Sequence, residues 1–390
     1  MEEEKNKLFY SKISRKTKFS YKYKNRIQSN NTTKIFIFVL FLVLILIIIG
    51  IFFYILHSIN SKKVFKVNEL DSNLYLNNIS NNYSNISLVY DEFDENINKQ
   101  YILIQNNFCN KEEENKIQKY ENLIKIAKVD FNSTNFSMYV YKTSDTVSRS
   151  IMYSHNWEAN NTKKILKALE YYSEKKKLNK KDIYLIDIGA NVGWYTYFLG
   201  KIGYNIMSFE ASKINNYILY KNYCLNRDIN VTIINKGLDV EDKKCKLKIV
   251  SYNIGDGMIL CDNRDKLILD FNGEIFDDIE LTKLGKYTKF LSEKNLAFIK
   301  LDVEGAEGTV FEGGKEIIDK YHVPFIMMEF EVRLLESHGT KVLNFLEFFE
   351  NNGYKFSLID FFSKEYISSS ELIQIKRNKN LFVVYEKILE

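Results

Sequence analysis

Apolar and polar positions divide the chain into three stretches. From Ile35 to Leu56 run 22 residues without a charge, IFIFVLFLVLILIIIGIFFYIL. At 1.5 Å per residue they span roughly 33 Å, about one hydrocarbon core. The run predicts a transmembrane helix over 35–57. A cleaved signal peptide fits less well, because its apolar region is shorter and ends at small residues. From 58 to 119, Asn, Ser, Glu and Lys displace any apolar periodicity, as in NLYLNNISNNYSNISL. That composition predicts a stem with little packed structure. Regular patterns begin near 120 and continue to 390.

In that third stretch strands and helices alternate. Phe136 to Lys142 reads as a strand. Thr162 to Glu174 places Ile165, Leu166, Leu169 and Tyr172 on one helical face. Strands follow at Ile183–Asp187, Asn205–Glu210, Val231–Asn235, Ala297–Val303 and Pro324–Phe330. Helices are expected over Tyr195–Lys201, ending at Gly203, from a Ser212 cap to about Arg227, and over Lys341–Glu350. Lys355–Asp360 and Asn380–Glu386 would close the sheet as a hairpin-like pair. Alternation of this kind predicts an α/β fold with a mostly parallel sheet covered on both faces.

Charge refines the picture unevenly. The formal net charge is +5. Residues 1–34 hold ten Lys/Arg and three Glu, a balance of +7. The rest holds 45 basic and 47 acidic residues, a balance of −2. The basic tail before the apolar run predicts that 1–34 stays cytosolic and that the remainder lies across the membrane, a single-pass type II topology with a lumenal domain. A near-neutral domain does not call for nucleic acid as a partner. Beyond the apolar run, seven Asn-x-Ser/Thr sequons, at Asn78, Asn82, Asn85, Asn132, Asn135, Asn160 and Asn230, fit a glycoprotein. All four cysteines lie beyond the apolar run. A Cys245–Cys261 disulfide and free thiols both remain open.

The candidate chemistry starts at Asp187-Ile188-Gly189-Ala190-Asn191-Val192-Gly193. A strand ends in an acid, glycines form a tight turn, and a helix follows, the geometry of a nucleotide-type cofactor loop. The spacing is not the Gly-x-Gly-x-x-Gly that seats a pyrophosphate on a helix N-terminus. That disfavours a nicotinamide-dependent oxidoreductase. An acid at the strand end suits a cofactor with positive groups, and S-adenosylmethionine carries an ammonium and a sulfonium. Glu210 follows Asp187 by 23 residues, the spacing of a carboxylate that takes ribose hydroxyls. Lys300-Leu301-Asp302-Val303-Glu304-Gly305-Ala306-Glu307 delivers three more carboxylates at another strand end, and Glu329 closes a fourth strand. Not all of these acids can be buried and charged without partners.

DIGANVGWYT, FEAS and IKLDVEGAEGTVFEGG, in that order, resemble the FkbM-type family of S-adenosylmethionine-dependent methyltransferases. Ser148-Arg149-Ser150-Ile151 and Asn156-Trp157-Glu158 resemble the family's lead-in to the sheet. The likeness covers about 135–390, within a methyltransferase domain set at 120–390. It implies a Rossmann-like class I methyltransferase fold, with a seven-stranded, mostly parallel sheet whose last strand is antiparallel. It also implies that Asp187, Gly189, Asn191 and Gly193 hold the methionine end of the cofactor. Glu210 would take the ribose, Asn235 and Gly237 would lie beside the adenine, and Asp302 would lie near the sulfonium. Two positions depart from the family: Ala211 stands where Pro is usual, and Gly308-Thr309 replace an aromatic or acidic filling. The expected reaction is O-methylation of a hydroxyl-bearing acceptor, a glycan or another small molecule or glycoconjugate. Asp302 is the favoured general base, with Glu304, Glu307, Glu329, His155 and His338 as other candidates. His155 stands beside Trp157 and Glu158. No histidine joins the acids at metal-ligand spacing, so no metal is expected. A catalytically inactive binding domain of the same fold is the other alternative.

Overall fold

The computed structural model describes residues 92–110, 118–142, 145–250, 253–261, 274–377 and 379–390. All of them fall in one unit, Ile86–Glu390. The expected tail at 1–34, the transmembrane helix at 35–57 and the stem up to residue 91 lie outside the described residues. Among the described residues no helix is long and apolar enough to cross a membrane.

Order begins before the expected boundary at 120. Helix α1, Glu95–Phe108, is capped by the Asp94 carboxylate, which accepts from the Ile97 N–H. It buries Ile97 and Tyr101, with Phe93 just before it, in the main core. The stem assignment is therefore corrected for 92–110: these residues carry the apolar side chains that a packed helix needs. Next comes a hairpin of β1, Ile124–Phe131, and β2, Thr134–Tyr141. Its turn places Asn132 and Ser133 at positive φ, as tight two-residue turns require. Helices α2, Thr146–Ser154, and α3, Ala159–Lys176, lead into the sheet.

The central strands are β3, Ile183–Ile188, β4, Asn205–Phe209, and β5, Asn230–Ile234. Between them lie α4, Trp194–Ile202, which ends at Gly203 (φ 109°), and α5, Lys213–Leu225, capped by Ser212. Beyond β5 the chain builds a second, four-stranded sheet from β6, Gly237–Leu238, β7, Lys243–Val250, β8, Asn253–Leu260, and β9, Glu274–Thr282. Alternation of strand and helix does not announce this sheet. Its signal is the period-two run Cys245-Lys246-Leu247-Lys248-Ile249, whose apolar members form a small core of their own. Helix α6, Gly285–Ser292, then leads to β10, Asn295–Leu301, α7, Glu307–Glu312, β11, Phe325–Phe330, α8, Val342–Asn351, β12, Tyr354–Ser357, and β13, Lys379–Tyr385.

The main sheet has the order β12-β13-β11-β10-β3-β4-β5. Strands β11, β10, β3, β4 and β5 are parallel, and β13 runs antiparallel between β11 and β12. The expected closing pair exists, but its second strand inserts beside β11 rather than extending the edge. The middle strands are apolar on both faces because helices cover both. Each fully buried Leu, Ile or Phe there contributes roughly 1.5–3 kcal/mol. The order reverses between β3 and β10, so a crevice opens at the C-terminal ends of these strands.

Two disulfides are present, Cys109–Cys224 and Cys245–Cys261. The second joins β7 to the residue just after β8. The first ties the end of α1 to α5 across 115 residues of chain, and no local spacing signals it.

Candidate active site

The register of the parallel strands decides which side chains meet. Lys300 on β10 is level with Asp187 on β3 and Met327 on β11. Asp302 and Glu329 each stand two residues further along, so the acids at the ends of β10 and β11 meet in one crevice. Its volume is about 310 Å³, and Asn191, Glu210, Gly237, Lys300, Asp302 and Glu329 are among its walls.

Asp187 lies beneath this cleft. It is buried, and its Oδ2 accepts from the Thr196 N–H (3.0 Å) and Thr196 Oγ1 (2.6 Å). Thr196 Oγ1 lies 2.7 Å from Ser208 Oγ on β4. Asp187 therefore fastens the first turn of α4, while its Oδ1 is buried without a hydrogen-bond partner. Burial raises its pKa, and the Lys300 ammonium partly offsets that. The two glycines of the loop answer to the protein itself. At Gly189 (φ 73°) a Cβ would lie 1.9 Å from the Asp302 carbonyl oxygen. At Gly193 (φ 92°) it would lie 2.7 Å from Leu219 and Tyr197. Their role in letting a ligand approach is thus secondary to close packing of the loop on β10 and α5. Gly189 still lines the cleft, and Asn191, at positive φ, presents a buried Oδ1 with no partner beside it.

Glu210, just after β4, is buried at 8% exposure. Its Oε2 accepts from the Asn191 N–H and its Oε1 from the Ser212 N–H, both at 2.8 Å. Burial pushes its pKa up to about 7, although these two N–H groups favour the charged form. The second sheet supplies the wall beyond it, with Leu247, Ile249 and Ile259 facing the cleft. Gly255 on β8 comes so close to the glycine loop that a Cβ would meet Asn191 Oδ1 at 2.9 Å. Gly237 lies in this wall, where a Cβ would meet Leu281 at 2.5 Å. Asn235 is exposed and is not among the residues lining the cleft, whereas Ile234 before it and Gly237 after it are buried. It is corrected as a cofactor contact.

The remaining acids divide by role. Lys300 is buried, and its Nζ lies 2.8 Å from Asp302 Oδ2. Burial works against this ammonium, but Asp302 and Asp187 outweigh it and hold the pKa above the usual lysine value. Burial likewise works against the Asp302 carboxylate, and Lys300 outweighs it, keeping the pKa low. Glu304 and Glu329 line the cleft beside Asp302, and one oxygen of each of the three lies within 4.8 Å of the others. Such a trio could hold a divalent cation, but the Lys300 ammonium already puts a positive charge against it. Glu307 instead turns into its own loop and accepts from the Val303 N–H (3.1 Å) and Gly305 N–H (3.4 Å). Two histidine candidates fall away. His155 is exposed and closes α2, with its Nδ1 3.1 Å from the Lys128 carbonyl on β1. His338 Nδ1 lies 3.0 Å from the Leu334 carbonyl. Neither lines the cleft.

Fold and site together define an α/β domain with a methyltransferase-like, mostly parallel sheet. The Methyltransferase FkbM domain model matches residues 187–356. No curated protein matches the chain. Among solved structures, the bifunctional kinase-methyltransferase WbdD aligns at 10% identity and a TM-score of 0.31, over 58% of this chain and 39% of that one. The chain thus spans about two fifths of that protein's length. The T. thermophilus 16S rRNA N2 G1207 methyltransferase RsmC, solved with AdoMet and guanosine, aligns at 10% identity and 0.29, over 67% and 50% of the two chains. The Geobacter metallireducens precorrin-6y C5,15-methyltransferase aligns at 10% identity and 0.29, over 56% and 88%.

Proposed function

We propose that this domain binds S-adenosylmethionine and methylates a hydroxyl group of a glycan or similar acceptor. The observation that carries the reading is the acid-ended switch point. Glu210 stands 23 residues past Asp187, each of its oxygens accepting from a backbone N–H, beside the unpartnered Asn191 Oδ1. These residues fit the group: Glu210 would accept from ribose hydroxyls, Asn191 would receive a donor, and the apolar wall from β7 and β8 would cover a flat base. Asp187 would act through the loop it fastens. Bound there, the cofactor supplies a methyl on a good leaving group, so that an O–CH₃ bond forms as the S–CH₃ bond breaks.

The chain's own residues then orient the acceptor and receive its proton. Lys300 keeps the Asp302 carboxylate ionised at neutral pH. That carboxylate, or Glu329 next to it, accepts the hydrogen bond of the attacking hydroxyl and takes its proton. A base held in reach contributes roughly 10²–10⁴-fold. Placement of the domain on the non-cytosolic side of a membrane, behind a single-pass type II anchor, belongs to the same proposal. Two disulfides support it, because they persist in oxidising compartments. The described sequon residues Asn132, Asn135, Asn160 and Asn230 are also exposed.

Titration with S-adenosylhomocysteine and with NAD tests the cofactor. Saturable binding of the first alone is expected. Glu210→Ala and Asp187→Ala should each weaken it at least about tenfold, roughly 1.4 kcal/mol. Binding of NAD, or unchanged affinity in both variants, would remove the reading.

A further inference from the structure

The sequence has two tryptophans, and they are placed for different work. Trp194 also borders the cleft, but it is buried, stacks on Phe198 at 5.1 Å and donates to Thr162 Oγ1. Trp157 lines the cleft, is half-buried, and makes no ring–ring or cation–ring contact among the described residues. A large, partly exposed aromatic side chain with no ring or cation partner among the described residues, in the wall of a reaction cleft, is a surface that a ligand can cover.

The segment that presents it is tied down residue by residue. His155 Nδ1 meets the Lys128 carbonyl, and the Asp130 N–H donates to the His155 carbonyl (3.2 Å). Ser150 Oγ donates to the Asn156 carbonyl (2.8 Å), and Thr162 Oγ1 to the Trp157 carbonyl (3.3 Å). Glu158 accepts from the Tyr195 hydroxyl, so the turn is anchored to the helix that follows the glycine loop. His155 and Glu158 both take positive φ, 59° and 41°, which side chains with a Cβ adopt at some cost. These bonds hold the Trp157 backbone, and none of them involves its indole.

Charge sets what can lie there. The charged residues lining the cleft are five carboxylates, Glu158, Glu210, Asp302, Glu304 and Glu329, and one ammonium, Lys300. Carboxylates accept hydrogen bonds from hydroxyls and repel anions. An apolar ring face beside several acceptors suits a ring that is apolar on one face and bears hydroxyls at its edge.

We propose that Trp157 is the platform on which the acceptor lies, and that the acceptor is an uncharged, polyhydroxylated ring of the pyranoside class. This assignment rests on the methyl-transfer reading above and adds the residue and the charge selection that choose the acceptor. Trp194 emits as well but is 2% exposed, so an acceptor-dependent change in emission that is lost in Trp157→Phe reports on Trp157.

The test uses the full chain saturated with S-adenosylhomocysteine, with methyl glycosides of neutral hexoses and the matching uronates as probes. Neutral glycosides should change the emission saturably, uronates should bind at least tenfold more weakly, and Trp157→Phe should abolish the emission change. In turnover with labelled methyl donor, Trp157→Ala should raise the acceptor KM tenfold or more and leave S-adenosylhomocysteine affinity within twofold, and Trp157→Phe should restore most of the KM. No emission change with any neutral glycoside, tighter binding of uronates, or an unchanged KM in Trp157→Ala would overturn the proposal. Loss of S-adenosylhomocysteine binding in the unaltered chain would instead remove the methyltransferase reading, and this assignment with it.

Discussion

A buried carboxyl at the end of a strand is balanced between burial and hydrogen bonding, and Glu210 shows the balance most clearly. Two backbone N–H groups favour its charged form, yet burial wins and lifts its pKa to about 7. The folded value lies above the unfolded one, so this group's contribution to stability is complete below about pH 4.5 and declines as pH rises towards 7. Ligand binding should run the other way, since the ionised carboxylate is the better acceptor for two hydroxyls. S-Adenosylhomocysteine should therefore bind several-fold more tightly at pH 8 than at pH 6, and Glu210→Gln should flatten that dependence in a calorimetric titration. An equal slope in the variant would assign the titration to another group. Asp187 and Glu210 were legible in sequence from their places at strand ends. The use of Gly189 was not: its missing Cβ makes room for the Asp302 carbonyl, which only the adjacency of β3 and β10 brings near.

Among the elements, α1 stands furthest from expectation. Its Asn-rich sequence looks like stem, but Gln105 is fully buried. The Gln105 side chain donates to the Val231 carbonyl (2.9 Å) and accepts from the Ile233 N–H (2.8 Å). Strand β5 is an edge of the main sheet, and this one amide occupies backbone groups that would otherwise be open. Thr232 on the same strand donates to Asn98, also on α1. Gln105→Ala should destabilise the domain by about 1–3 kcal/mol, read from chemical denaturation, because it leaves a buried donor and a buried acceptor unpaired. No change would mean that water reaches that edge. The second sheet is the other element that strand–helix alternation does not reveal. Its Cys-Lys-Leu-Lys-Ile period is local and readable, but its place as a wall of the cleft depends on Gly237 and Gly255 packing against distant partners.

At the scale of the whole molecule, the described chain is one α/β domain with a covalent link from its first helix to α5. The Cys109–Cys224 bond closes a loop of 115 residues. Closing a loop of that length restricts the unfolded chain, and its loss should cost about 2–5 kcal/mol. Cys109→Ser with Cys224→Ser should lower the denaturation midpoint accordingly. An unshifted midpoint would show that packing of α1 alone holds the edge. The charge map has the same global character. The domain is near neutral in total, yet its cleft gathers five carboxylates and one ammonium, a concentration that no sum over the sequence reveals.

Local order alone determined the seven strands of the main sheet, helices α3, α4, α5 and α8, the glycine loop and the acids at strand ends, because period, caps and turn chemistry are properties of neighbouring residues. Their boundaries hold to within a few residues for α3, α4, α5 and α8. Tertiary structure alone decided which acids share the cleft. It set Lys300 against Asp302, turned Glu307 into its own loop, left His155 and Asn235 exposed and placed Trp157 in the cleft wall. The register between strands far apart in sequence fixes those meetings, and a shift of one residue would send each side chain to the opposite face.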